Sequence, residues 1–293
     1  MNLLPWSYTT SAQVTLRGWH SAPSGKPVLH FLHGNGLCGR VYEPMLKYLS
    51  ADFDLWLCDI QGHGDSDAGS RFFGWNHNAE LAVEAFQAQR SLFGDVPVYA
   101  SGHSFGGVLS SLIMAKHPQL FKRAVLLDPV VFTPSMQMFI KTTERLGFTG
   151  FTALAKKTAV RRRHWPDRQT AYASLTGRGV FKGWTAEALS AFVDHALRPA
   201  EEGGVQLKCS PQLEATIFSS AANGLWRALR QVHTPVLMLY GADTFPFVIK
   251  SAALWAQSNR YVHTEQVSGG HCFMQEFPDS AAQKTRAFLL DQL

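Results

Sequence analysis

The chain has 293 residues, 46% of them hydrophobic and 17% charged, with a formal net charge of +5. That length can bury the core of one large domain, or of a core with an insertion, and the composition excludes a disordered chain. No apolar run approaches the roughly 20 residues of a membrane span, and Met1 to Thr10 lacks the basic and apolar regions expected of a secretory leader.

Cys38, Cys58, Cys209 and Cys272 are scattered, with no CxxC pair, and read as free thiols of a cytoplasmic protein. The positive charge is local. Residues 141–202 carry 11 Lys or Arg against 6 Asp or Glu, and the remaining chain carries 16 of each. No nucleic-acid motif accompanies the surplus, so it reads as a solvated basic face with no nucleic-acid partner.

In chain order, Gln13 to Trp19 alternates apolar and polar residues, which predicts a half-exposed edge strand. Pro27 to Leu32 predicts a buried strand ending in His33-Gly34-Asn35-Gly36, a loop able to present backbone amides to a ligand oxygen. Arg40 to Leu49 reads as a helix and Phe53 to Asp59 as a second buried strand, followed by Gln61-Gly62-His63-Gly64-Asp65-Ser66. Asn78 to Phe93 reads as a helix, Val98 to Ala100 as a strand, Val108 to Ala115 as a helix, and Ala124 to Leu127 as a strand with Asp128-Pro129 at its end. Strands and helices alternating at these intervals predict an α/β fold with a mostly parallel sheet covered on both faces.

From about Val131 to Val232 the rhythm changes. Apolar residues recur at helical spacing, as in Phe139, Leu146, Phe151 and Leu154, or Leu189, Phe192, Val193 and Leu197, and no buried strand is evident. Residues 131–232 are read as a helical insertion between a first part of the core, 1–130, and a second, 233–293. In the second part, Pro235 to Tyr240 predicts a strand ending in Gly241-Ala242-Asp243, and Phe247 to Ala256 a helix. Tyr261 to Val267 predicts a last strand leading into Ser268-Gly269-Gly270-His271. Asp279 to Leu290 predicts a closing helix capped by Asp279 or Ser280.

Gly102-His103-Ser104-Phe105-Gly106 is a G-x-S-x-G pattern between a strand and a helix, the setting of a nucleophile elbow. The glycines let strand and helix approach closely while Ser104 sits at the strained tip, at the N-terminus of a helix. A serine hydroxyl is a weak nucleophile, so it needs a base to take its proton and the base needs an orienting acid. Asp243 and His271 stand where the two later strands end. Strands of a parallel sheet end on one edge, so Ser104, Asp243 and His271 can converge there. Cys272 is set aside as a nucleophile because neighbours in sequence seldom point at each other. The 12 histidines include no HExxH pair, and neither a phosphate loop nor a dinucleotide fingerprint is present, so no metal and no cofactor are expected.

These motifs carry a resemblance. HGNG at 33–36, QGHGDS at 61–66, GHSFGG at 102–107, LLDP at 126–129, GAD at 241–243 and GGH at 269–271 together resemble the α/β-hydrolase fold with an inserted helical cap. The resemblance implies Ser104 as nucleophile, His271 as general base, Asp243 as the acid that orients it, and the amides of Asn35 and Phe105 as the oxyanion hole. The family's acid usually follows the strand-end glycine by three residues, whereas Asp243 follows Gly241 by two. Asp128, after the preceding strand, is the alternative acid. His33 and His63 resemble positions that hydrogen-bond loop backbone, and His103, which precedes Ser104, is expected to point into the protein. A serine at the elbow, in place of aspartate, excludes haloalkane dehalogenases and epoxide hydrolases. What remains is a serine hydrolase of a small or medium acyl substrate, most simply a carboxylic ester. A C–C bond hydrolase, thioesterase or perhydrolase of the same fold stays open, as does a non-enzymatic ligand-binding protein. Met136, Met138, Phe139 and Trp184 are candidates for an acyl pocket.

Overall fold

The computed structural model describes residues 1–146 and 153–291. Its centre is an eight-stranded sheet of β1 (Leu3–Thr9), β2 (Thr15–Ser21), β3 (Val28–Leu32), β4 (Asp54–Asp59), β5 (Val98–His103), β6 (Ala124–Leu127), β10 (Val236–Gly241) and β11 (Val262–Val267). The spatial order is β1-β2-β4-β3-β5-β6-β10-β11. β1 and β2 pair antiparallel, β2 pairs antiparallel with β4, and every other pair is parallel.

Every residue of β3, β4 and β6 is buried, because helices cover both faces of the sheet. Side chains then alternate between two cores. Leu32, Trp56, Leu126 and Met238 pack on one face, and Phe31, Leu57, Leu127 and Leu239 on the other. The register Leu32–Gly102, His103–Leu127 and Leu127–Leu239 brings the ends of β3, β5, β6 and β10 to one edge.

The predicted edge strand lies inside the sheet, because β1 covers its outer side. β1 itself escapes sequence patterning. It is the sheet's outermost strand, mostly exposed, and carries Pro5, which only an edge strand accommodates. The closing helix runs Pro278–Leu289 and is entered at Phe277 with no side-chain cap, so neither Asp279 nor Ser280 caps it. Pro278 takes the first helical position, where a missing N–H costs nothing.

Between β6 and β10 lie helices Pro134–Arg145, Ala153–Ala159, Arg168–Leu175, Ala186–His195, Pro211–Phe218 and Leu225–Arg230. This inserted segment is not purely helical. β7 (His164–Trp165), β8 (Leu197–Pro199) and β9 (Val205–Leu207) form a small antiparallel sheet in the order β7-β9-β8. Strands of two or three residues are too short to show a period of two. Met138 and Phe139 point outward, at 70% and 57% exposure. Trp184 packs on Phe181 with ring centroids 4.9 Å apart. Phe151 lies outside the described residues.

His30 sits in the core of β3 with neither ring nitrogen hydrogen-bonded among the described residues. It stacks on Trp56 at 4.7 Å and meets Phe86 edge-on at 5.1 Å. Burial pushes its pKa from the ordinary 6.5 down to about 3. The unfolded chain therefore binds the extra proton across that window, and stability falls as the pH is lowered from 6.5 toward 3. His30→Leu should match the parent at pH 7.5 and lose about 1.4 kcal/mol less than the parent between pH 7.5 and 5.5. Urea unfolding at the two pH values measures this, and equal losses would contradict a neutral buried His30.

Candidate active site

Ser104 occupies the turn between β5 and the helix Phe105–Lys116, with φ 53° and ψ −114°, and it is 5% exposed. Its left-handed backbone is held from both sides. The Ser104 amide donates to Leu127 O at 3.0 Å, and the Gly106 amide to His33 O at 3.1 Å. A Cβ on Gly106 would lie 2.2 Å from Leu32 O, and one on Gly102 would lie 2.6 Å from Gly106 O. Only glycine permits the strand, the helix and the His33–Gly36 loop to meet here.

His271 Nε2 lies 2.9 Å from Ser104 Oγ, and its Nδ1 lies 2.8 Å from Asp128 Oδ1. Asp128 is fully buried and also has a left-handed backbone, with φ 46°. Its Oδ2 accepts the Gly241 amide at 2.8 Å, and its Oδ1 accepts the Thr244 hydroxyl at 2.6 Å. A carboxylate can only accept, so Nδ1 of His271 carries the proton and Nε2 is free to accept from Ser104.

The expected acid, Asp243, is not in this chain of hydrogen bonds. It is exposed, and its amide donates to Gly269 O at 3.0 Å. The third residue after Gly241 is Thr244, and it is Thr244 that turns inward, giving its hydroxyl to Asp128. The carboxylate therefore comes from the end of β6. Two signals in the sequence pointed this way: the acid one place short of the usual spacing, and an Asp at the end of a fully apolar strand.

The Asn35 and Phe105 amides donate no hydrogen bond among the described residues. Asn35 turns its side chain away, giving Nδ2 to Glu214 O at 3.0 Å and approaching His63 Nε2 with Oδ1 at 3.2 Å. His33 Nδ1 donates to Gly34 O at 2.8 Å, and its Nε2 accepts the Ile60 amide at 2.9 Å. Burial holds His33 well below the ordinary histidine value and brings His63 down to about 4, so both serve as neutral loop supports. Cys272 is buried, and burial pushes its thiol up, away from the thiolate a nucleophile needs.

The basic segment is not wholly solvated. Arg162 and Arg163 are exposed, but Arg161 turns inward. Its Nη1 lies 3.2 Å from Glu214 Oε1 and its Nη2 lies 3.1 Å from Glu214 Oε2. Burial raises the Glu214 pKa to about 7 against the opposing pull of Arg161.

A chain of aromatic ring contacts runs from His271 to Phe105, the residue after Ser104. Phe245 lies 5.0 Å from His271, Phe247 5.6 Å from Phe245, and Phe132 5.4 Å from Phe247. Trp75 then lies 6.3 Å from Phe132 and meets Phe105 edge-on at 4.7 Å. Trp75 also lines a cavity of about 440 Å³ shared with Phe72, Phe73, Thr216 and Ser219.

A model of the Alpha/beta hydrolase family matches residues 31–284. The chain is 27% identical over 240 residues to 2-(acetamidomethylene)succinate hydrolase of Mesorhizobium japonicum, covering 80% of this chain and 76% of that one. It is 31% identical over 120 residues to monoglyceride lipase of Mus musculus, a match spanning only 39% of each chain. Among solved structures, E-2-(acetamidomethylene)succinate hydrolase superposes with a TM-score of 0.79 at 21% identity, covering 99% of this chain and 100% of that one. The esterase RhEst1 from Rhodococcus superposes with a TM-score of 0.73 at 21% identity, covering 99% and 98%. At these identities the structural matches speak for the fold.

Asp128→Asn should slow fluorophosphonate labelling of Ser104 by on the order of 10⁴-fold, because the amide can stabilise the wrong His271 tautomer. Asp243→Asn should label like the parent. Labelling rates, with melting curves to confirm folding, check both, and the reverse pattern would return the acid to Asp243.

Proposed function

The chain belongs to the alpha/beta hydrolase family, and on that premise we propose that it is a serine hydrolase of small or medium carboxylic esters. The observation that carries this is the unbroken run from Asp128 through His271 to Ser104, with hydrogen bonds of 2.8 and 2.9 Å. Ser104 Oγ attacks the ester carbonyl while His271 Nε2 takes its proton, and Asp128 stabilises the imidazolium that forms. The carbonyl oxygen gains its negative charge against the Asn35 and Phe105 amides, which have no competing partner among the described residues, and against the N-terminus of the helix after Ser104. His271 then returns the proton to the alkoxide leaving group, giving the acyl-enzyme. Water, deprotonated by the same nitrogen, releases the acid and restores Ser104.

In this reading residues 131–232 are a cap over the site, and the wall of Phe245, Phe247, Phe132 and Trp75 receives the acyl group. Its apolar rings favour a hydrocarbon chain over a polar one. Four buried free cysteines fit a reducing compartment, so we place the enzyme in the cytoplasm. The proposal involves neither nucleic acid nor cofactor.

A chain-length panel of p-nitrophenyl esters, run beside thioester and amide analogues, tests the reading. The esters should turn over fastest, and Ser104→Ala should lose roughly three or more orders of magnitude in kcat with an unchanged melting curve. Full turnover by a folded Ser104→Ala variant would overturn it. Faster thioester or amide cleavage would keep the nucleophile and replace the substrate class.

A further inference from the structure

His103 precedes the nucleophile but points away from it, into the protein, and is 1% exposed. Its Nε2 lies 3.0 Å from the main-chain oxygen of His271, and its Nδ1 lies 2.6 Å from Tyr42 Oη. Tyr42, fully buried, also accepts the Gly34 amide on that oxygen at 2.9 Å. The hydrogens follow from the end of the chain. A carbonyl can only accept, so His103 Nε2 must donate to His271 O. In a neutral ring Nδ1 then accepts, and it takes the Tyr42 hydroxyl proton. Burial, with the neighbouring His271 ring as a second cause, holds His103 well below the ordinary histidine value and so keeps the ring neutral.

Three segments far apart in the chain meet in this network: Gly34 beside Asn35, His103 at the end of β5 beside Ser104, and the backbone of His271. The fit is close, since a Cβ on Gly34 would lie 2.5 Å from His103 Nδ1. We propose that His103 and Tyr42 are positioning residues that lock the base, the nucleophile and the oxyanion loop into one register, with the single Nε2–H of His103 setting the height of His271 against Ser104. The inference rests on the serine-hydrolase reading of this site.

The two hydrogen bonds of His103 can be separated by substitution. Glutamine places an amide nitrogen where Nε2 was, and asparagine places an amide oxygen where Nδ1 was. His103→Gln therefore keeps the donor to His271 O, and His103→Asn loses it. Displacing a reacting group by about an ångström costs on the order of 10²-fold. His103→Asn should thus lose about 10²-fold in kcat and in Ser104 labelling rate with KM nearly unchanged, and His103→Gln should stay within about tenfold of the parent. The two variants should melt within a few degrees of each other, because both give up one buried hydrogen bond. In Tyr42→Phe the Gly34 amide should exchange with solvent faster than in the parent.

Equal impairment of the Gln and Asn variants, or losses that track melting temperature, would overturn the proposal. If parental Ser104 resists the label, the hydrolase reading fails by itself. Amide exchange over residues 269–273 then still decides the network: faster exchange in the Asn than in the Gln variant supports it, and equal exchange contradicts it.

Discussion

The carboxylate of Asp128 is the constraint around which the site is built. A fully buried carboxylate costs several kcal/mol unless its oxygens are satisfied by donors. Here the donors come from three places in the chain: the Gly241 amide at the end of β10, the Thr244 hydroxyl in the loop beyond it, and the His271 ring after β11. They meet only if the strand ends are in register. The backbone enforces this, because Ser104 N to Leu127 O and Asp128 N to Leu239 O continue the ladder hydrogen bonds past the strands themselves. The site is thus an extension of the sheet, and its precision derives from the burial of β3, β5, β6 and β10.

Three further imidazoles stand beside the site. His33, His63 and His103 are all buried and held neutral by that burial. Each fixes loop backbone or a loop side chain. Their neutrality has a chemical consequence as well as a structural one. The His103 ring lies 4.9 Å from His271, and a cation there would oppose a positive charge on His271.

Much of this was legible in the sequence because it depends on local pattern. The elbow needs Gly102 and Gly106 two residues either side of Ser104, and the apolar runs of β3, β4, β6 and β10 follow from burial on both faces. His271 was legible from its place after the last strand. The acid was not, because Asp128 and Asp243 both follow buried strands, and only the side-chain direction separates them. Asp243 turns to solvent, while Thr244 occupies the place that spacing assigned to an acid. β1 and the small sheet of the inserted segment were hidden by exposure and shortness. The inward turn of Arg161 was hidden too, since it depends on Glu214, 53 residues away. The Tyr42–His103 link joins residues 61 apart, a separation that no local pattern reports.

The proposed chemistry depends on the proton between His271 and Asp128. Nitrogen-15 and proton NMR of selectively labelled histidine, with His271→Gln to assign the signal, reads it directly in the free protein at neutral pH. Nδ1 of His271 should be protonated, with its proton far downfield in a strong hydrogen bond, and Nε2 should be bare. A His271 ring protonated on Nε2, or an Nδ1 proton in free exchange with water, would contradict it.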